Sequence, residues 1–430
     1  MAERGRRHLP RTPRFLKGIG RLVGVPVSEV RAYWSGERRS IKSGSTALVI
    51  GLAATIVAGV VLGSAEDELE AIPGLLALIP AAIGMRGSIF GALGSRLATG
   101  IHTGEFRREL RRHSYLGRQI EAATILSFAS ATQAGLLAWL ISIALGLPTV
   151  PLLDLVAISL IGGLLSSLVL FFVTIGMSLR SHHRGWTMDD VGAPIITATG
   201  DLVTLPALLL ATLVLRSPAA ATTIGVVGLI TFVAGLWIGW RSDHPTIRRV
   251  VRESSVVLTI AVTIDVFAGV LVESRAQQQF GAAALLILLP PFIANCGSLG
   301  GMLSSRLASK LHVGQLQPRM FPSKIAVLDF TVTALLSIMA FTGVGLAGWV
   351  AAHLVPGLDA MPLITTISIP LLAGLFATPI LATTAYVAAV ASFHFGFDPD
   401  NHGIPIVTAT MDLAGVICLL AAITIVMGTP

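Results

Sequence analysis

Eleven stretches of about 20 mostly apolar residues follow one another along this chain, each long enough to cross the roughly 30 Å hydrocarbon core of a bilayer as a helix. They lie near 45–63, 73–95, 120–147, 151–179, 194–216, 219–240, 254–273, 281–305, 324–352, 363–391 and 404–428. The segments between them are short and carry most of the charge. The pattern predicts an all-α polytopic membrane protein.

Composition agrees. Only 12% of the 430 residues are charged and the mean hydropathy is +0.81. A soluble domain carries about a quarter charged residues, so an ordinary cytosolic enzyme is excluded. The 44 glycines and 6% aromatics suit helices packed in lipid through small residues. Cys296 and Cys418 both sit in apolar runs, which excludes a disulfide framework or a cysteine-built metal cluster.

The net charge of +7 comes from one place. Residues 1–44 hold 11 Lys/Arg against Glu3, Glu29 and Glu37, and the remainder of the chain is close to neutral. Nucleic acid is therefore not an expected partner. The tail has no apolar core of signal-peptide type. It reads as a cytoplasmic anchor against anionic lipid, with Phe15, Ile19, Leu22 and Trp34 entering the interface. With that tail inside, 27 of the 30 Lys/Arg fall on the cytoplasmic side, while the acidic run Glu66, Asp67, Glu68, Glu70 faces out. An odd number of spans then places the C-terminus outside.

The chain also repeats itself. PAAIGMRGSIFGALGSRLATGIHTG from Pro80 and PPFIANCGSLGGMLSSRLASKLHVG from Pro290 are identical at 12 of 25 positions, at an offset of 210. PIITATGDL from Pro194 and PIVTATMDL from Pro405 are identical at seven of nine. Shared apolar composition does not produce matching Arg and His. The chain is a tandem duplication of a five-span unit. The span near 219–240 matches neither copy, and its insertion restores the orientation that an odd-numbered unit would invert. The expected layout is a basic tail over 1–44, a first repeat over 45–216, a linking helix over 217–242 and a second repeat over 243–430. Two parallel five-helix repeats then flank an axis along the membrane normal, with the substrate path at their interface.

Ionisable groups inside a bilayer are functional candidates. Asp201 and Asp412 occupy equivalent positions, each seven residues after a span-opening proline and about 10 Å into the helix. Thr197 and Thr408 lie one turn earlier on the same face. Two carboxylates related by two-fold pseudosymmetry, with no basic partner in either motif, call for a divalent cation. Magnesium, which keeps several waters and accepts one or two carboxylates, suits such a site. In the glycine-rich spans, Ser88, Ser298 and Asn295 offer neutral oxygen. Those spans read either as close-packed helices or as broken helices whose carbonyls line the path.

These residues carry a resemblance. P-x3-G-M-R-G-S-x6-SRLATG, its second copy, and DPDNHGIPIVTATMDL at 398–413 resemble the MgtE-type magnesium transporter family, and within it the fused-repeat branch, solute carrier family forty-one. The likeness covers roughly 45–216 and 254–430. It implies transport of a divalent cation, chiefly Mg²⁺, through a central pore whose acidic residue lies in the last span of each unit, here Asp201 and Asp412. It places Asp398, Asp400 and Asn401 at the cytoplasmic mouth, with Asp189 and Asp190 as the first-half remnant. The family's usual Gly-Asn is replaced by Gly87-Ser88 and Gly297-Ser298, a change expected to alter selectivity or hydration. A tail of 44 residues is too short for the regulatory domains of bacterial MgtE channels, so gating of that type is not expected.

Some residues break the symmetry. Asp265 stands mid-span where the first half has Thr55, and is a candidate to bind a coupling ion, Na⁺ or H⁺. Arg86, opposite Cys296 in the alignment, is a candidate to neutralise it. Asp329 reads as a helix cap, and His102 and His312 as cations at helix ends. His182 and His183 with Asp189 and Asp190 make a poor metal site, because adjacent histidines rarely share one ion. A coupled exporter of another divalent metal and a transporter of a non-metal solute stay open as alternatives. No Ser/His/Asp set, HExxH or P-loop is present, so an enzyme is not expected. A duplicated chain can complete its own pore, so a monomer is expected to suffice.

Overall fold

The computed structural model describes residues 26–102, 114–184, 188–279, 283–355, 360–396 and 403–428. Among these are thirteen α-helices and one 3₁₀ turn, and no strand. A short α1 (Val27–Gly36) leads into α2 (Arg38–Gly63), and a single turn of polar helix, α3 (Glu66–Ala71), follows. Then come α4 (Leu75–His102), α5 (Tyr115–Ala144), α6 (Leu152–Arg184) and α7 (Met188–Ala211). A lone α8 (Pro218–Trp240) precedes α9 (Pro245–Gln279), α10 (Ala283–His312), α11 (Lys324–Leu354), α12 (Leu363–Phe395) and α13 (Ile404–Met427).

Eleven of these helices are long and apolar enough to cross a membrane, and they fall on the eleven expected stretches. The main difference is length. α9 starts at Pro245, well ahead of its apolar stretch, because proline is at no disadvantage in a first turn and Arg248, Arg249, Arg252 and Glu253 continue the helix without being hydrophobic.

The packing obeys the repeat. α4 lies against α5 and α7 as α10 lies against α11 and α13, and α6 joins α5 to α7 as α12 joins α11 to α13. The first helix of each unit crosses to the other: α2 packs on α10, and α9 packs on α4. At these crossings Gly59 meets the backbone of Ile287, and Gly269 meets that of Ala77. Both members of the first pair lie 210 positions from their counterparts in the second. A Cβ at either glycine would overlap the facing carbonyl, so only glycine permits the approach. Gly135 against Val156 and Gly345 against Ile367 repeat the same device within each unit. α8 stands outside this symmetry, against α5, α6 and α9. The chain thus forms two five-helix repeats, exchanged through their first helices, with one linking helix between them.

One link joins the repeats asymmetrically. The Glu273 carboxylate of α9 accepts hydrogen bonds from the backbone N–H groups of Gly74 (2.5 Å) and Ala77 (2.9 Å), at the start of α4. It satisfies two of the four donors that a helix leaves open at its N-terminus. The equivalent residue in α2 is Gly63.

The tail corrects an expectation. Trp34 does not enter the lipid interface: α1 docks on the second repeat, where the Trp34 indole donates to Thr331 Oγ1 (3.0 Å) and the Tyr33 hydroxyl to Asp329 (2.8 Å). Asp329 is not a helix cap. It is buried and ion-paired with Arg306 and Lys310, both at 2.7 Å, while Glu37 accepts Arg306 from the other side at 3.2 Å. Burial and the Asp329 carboxylate push the Tyr33 phenol above its ordinary range. The first repeat has a neutral version, Arg96 to Gln119 at 2.8 Å. Phe15, Ile19 and Leu22 lie outside the described residues.

Candidate functional site

The two glycine-rich helices, α4 and α10, set the centre of the molecule. Both are continuous, with Pro80 in α4 and Pro290 and Pro291 in α10 lying inside the helix, so the broken-helix alternative does not hold. Their first turns, 75–82 and 285–292, are buried throughout. From there to the SRLA end a stripe of accessible positions runs down each. On α4 it is Gly84, Ser88, Ala92 and Ser95; on α10 it is Ala294, Ser298, Met302 and Ser305, the same positions 210 residues later. Steps of three and four residues keep each stripe on one helical face. Ser298 is exposed although it lies mid-helix. At the SRLA end the α10 stripe meets a pocket of 260 Å³ lined in part by Ser305, Arg306, Ser309 and Lys310.

Glycines of α4 and α10 let side chains of neighbouring helices come close at the head of the stripes. A Cβ at Gly84 would run into Asp265 and approach Asp412 Oδ2 to 3.4 Å. A Cβ at Gly87 would meet Thr197 at 3.7 Å, and its counterpart at Gly297 would meet Thr408 at 2.9 Å and Asp412 at 3.6 Å. A Cβ at Gly91 would meet nothing within 4 Å. Close packing is thus present at Gly84 and Gly297 and absent at Gly91.

Asp412, Asp265, Thr197, Thr408 and Asp201 thus gather where the stripes begin. Asp201 and Asp412 are each 5% exposed and Asp265 is 1% exposed. Asp265 and Asp412 both turn a carboxylate oxygen towards Gly84, and Asp201 lies within electrostatic range of Asp412. Among the described residues, no three His, Cys, Asp or Glu side chains converge tightly enough to hold a bare metal ion.

Other expected residues lie elsewhere. Asn295 is buried off the stripe, with its amide donating to the Pro291 carbonyl at 2.7 Å. Arg86 does not neutralise Asp265. Its side chain turns into the first repeat, where Nε donates to Ser166 at 3.1 Å and the two terminal nitrogens have no hydrogen-bond partner. It fills the volume that Phe341 occupies in the second repeat: Arg86 and Ala131 face Gly163, as Phe341 faces Gly374. His312 ends α10 with Nδ1 at 2.8 Å from the Ala308 carbonyl. Asp398, Asp400 and Asn401 lie outside the described residues, as do the side chains of Asp189, Asp190, His102, His182 and His183.

Sequence reasoning found Asp265 but not its attachment to Asp412. Helix period places a residue on a face, and it says nothing about which helix of the other unit crosses there.

Fold and site together define a multi-pass membrane protein in which buried carboxylates head a pair of accessible helix faces. The family model described as MgtE, divalent cation transporter, matches residues 79–211 and 289–422, once in each repeat. The chain belongs to this divalent cation transporter family. It is similar to solute carrier family 41 member 3 of Rattus norvegicus, 26% identical over 84% of this chain and 81% of the relative. The Mus musculus member 3 is 26% identical over 79% of this chain and 73% of its own. Solute carrier family 41 member 2 of Xenopus laevis is 24% identical over 65% of this chain and 52% of its own. No solved structure matches the chain.

Proposed function

We propose that this protein carries divalent cations, Mg²⁺ foremost, across the membrane along the path between its repeats, with Asp201 and Asp412 as the central ligands. The observation that carries the reading is the place of Asp412 at the head of the accessible stripes, facing Gly84 of α4 and Gly297 of α10, with Asp201 within electrostatic range of it. Thr197, Thr408, Ser88 and Ser298 supply neutral oxygens beside them. Mg²⁺, which keeps several of its waters and accepts one or two carboxylates, suits such a pair. Asn295 supports α10 rather than the ion.

The charge distribution orients the chain in this reading. The SRLA end is cytoplasmic, with the N-terminus inside and the C-terminus outside. The described conformation is then open to the cytoplasm and closed outside by the buried turns of 75–82 and 285–292. The division into a tail, two repeats over 45–216 and 243–430, and a linking helix over 217–242 belongs to the same reading. A single chain suffices for one path.

A second reading concerns coupling, and Asp265 favours it. A carboxyl that lies beside a cation ligand and has no counterpart in the first repeat gives Na⁺ or H⁺ a place to compete with the divalent ion. Transport would then be exchange.

The test is flux into liposomes loaded with a Mg²⁺-sensitive dye, with and without opposing Na⁺ or pH gradients. Asp201→Asn/Asp412→Asn is expected to abolish it, and Mg²⁺ flux that survives in the double variant would overturn the path. Asp265→Asn is expected to keep flux and lose gradient dependence; an unchanged gradient response removes the coupling role.

A further inference from the structure

The two halves of the central site are equivalent in position and unequal in charge. In the second repeat's half-site, Asp412 and Asp265 of α9 each turn a carboxylate oxygen towards Gly84. Gly84 of the other repeat leaves the space that the Asp265 carboxylate fills. Shifting each residue to its counterpart gives the other half-site: Asp201, Thr55 and Ala294. Its second carboxylate is gone, because Thr55 is a hydroxyl that donates to the Gly51 carbonyl of its own helix at 2.9 Å. The room is gone too, because Ala294 has a Cβ where Gly84 has none.

A second charge also breaks the symmetry. Arg86 is 0% exposed in the first repeat, and its Cβ lies against Gly200, the residue before Asp201. No acid among the described residues pairs with it, and Nη1 and Nη2 have no hydrogen-bond partner. Its counterpart, Cys296, is uncharged. The half-site built on Asp412 therefore has two carboxylates and no base. The half-site built on Asp201 has one carboxylate and a buried, unneutralised guanidinium in the same repeat. Charges in a low-dielectric interior act over longer distances than in water.

We propose that the divalent cation is held off the pseudo-two-fold axis, on the Asp412–Asp265 pair, with Asp201 a weaker ligand that receives the ion in passage. This inference rests on the central path proposed above. It goes beyond that reading in denying that the paired aspartates are interchangeable.

The experiment compares Asp201→Asn, Asp412→Asn and Asp265→Thr in dye-loaded liposomes over a range of Mg²⁺ concentrations. Thermal melts of the same purified proteins, with and without Mg²⁺, provide a binding readout that does not depend on transport. Asp412→Asn and Asp265→Thr are expected to raise the half-saturating Mg²⁺ concentration about tenfold or more and to lose stabilisation by Mg²⁺. Asp201→Asn is expected to lower maximal flux while half-saturation stays within about threefold and Mg²⁺ stabilisation persists.

The decisive variant transplants the asymmetry. In Thr55→Asp/Ala294→Gly/Asp265→Thr, Asp201→Asn becomes the more damaging substitution and Asp412→Asn the milder one. If this variant does not fold, the isosteric Asp265→Asn is expected to reproduce the affinity loss of Asp265→Thr. Equal effects of Asp201→Asn and Asp412→Asn on affinity would overturn the inference while leaving the path intact. Flux indifferent to all three single substitutions would instead overturn the path.

Discussion

Asp265 and Asp412 reach each other from two helices of the second repeat, α9 and α13, and they meet against Gly84 of the first. The meeting exists because α9 crosses to the other unit and packs on α4, so an α4 residue covers a carboxyl pair of the second repeat. Gly84 should accordingly tolerate no side chain. Gly84→Ala is expected to displace Asp265 and cut Mg²⁺ flux by about tenfold or more. The bundle should remain folded, since alanine in place of a helical glycine itself stabilises by roughly 0.5–1 kcal/mol. Gly91→Ala is the matched control, because a Cβ there meets nothing. Flux assays beside thermal melts separate the two, and equal flux in both variants would show that the Gly84 gap is unimportant.

The accessible stripes make a prediction of their own. In a background with Cys296→Ser and Cys418→Ser, cysteines at Ser88 and Ser298 should react with a membrane-impermeant thiol reagent supplied from the SRLA side. Cysteines at Ala77 and Leu288, on the buried turns of the same helices, should not. Mass spectrometry of the labelled protein reads the result. Labelling of the buried turns from the opposite side would mean that the described conformation is not the dominant one in the membrane.

Much of this architecture was legible because a bilayer allows little else. Its thickness fixes helix length, so the eleven spans emerged from hydropathy alone, and the matched SRLA motifs, with their Arg and His, exposed the duplication. Asp201 and Asp412 stood out because a carboxylate in an apolar span is costly. Three things were hidden. The exchange of α2 and α9 between units is fixed by Gly59 and Gly269, which look like any other glycine in a chain that has 44. Arg86 resembled a counter-ion for Asp265, but positions 84 and 86 point to opposite sides of α4, so the helix that offers Gly84 to the aspartates turns Arg86 away from them. Asp329 reads as a cap because its partners, Tyr33 of α1 and Arg306 and Lys310 of α10, lie far from it along the chain.

Glu273 ties the repeats together at the opposite end from the SRLA motifs. Its carboxylate accepts from Gly74 and Ala77, holding the first turn of α4 against α9. Glu273→Gln keeps one acceptor oxygen and loses the charge facing the helix N-terminus, for an expected loss of about 1–2 kcal/mol. Glu273→Ala leaves both donors to find other partners and should cost more. Thermal or denaturant melts in detergent rank the three proteins. A Gln variant as stable as wild type would reduce the link to an ordinary hydrogen bond.

The docking of α1 should depend on pH at the alkaline end, and the sign follows from Tyr33. Its phenol donates to Asp329, and burial and that carboxylate both raise its proton affinity above that of a free tyrosine. The folded state therefore holds this proton more tightly than the undocked chain. Docking is indifferent to Tyr33 ionisation below the ordinary tyrosine pKa of about 10 and weakens as pH rises above it. Tyr33→Phe removes that dependence and costs about 1 kcal/mol of docking, the net worth of one hydrogen bond. Asp329→Asn is the harsher change, because it leaves Arg306 and Lys310 with Glu37 alone; breaking such a buried pair costs about 3–5 kcal/mol. Limited proteolysis near residues 26–37 measures docking across pH. Wild type should become cleavable in alkali, Tyr33→Phe should be cleaved at a pH-independent rate, and Asp329→Asn should be cleaved at neutral pH. Protection that survives Asp329→Asn would mean that the apolar contacts of Val30 with Leu328, rather than the ion pairs, hold α1 in place.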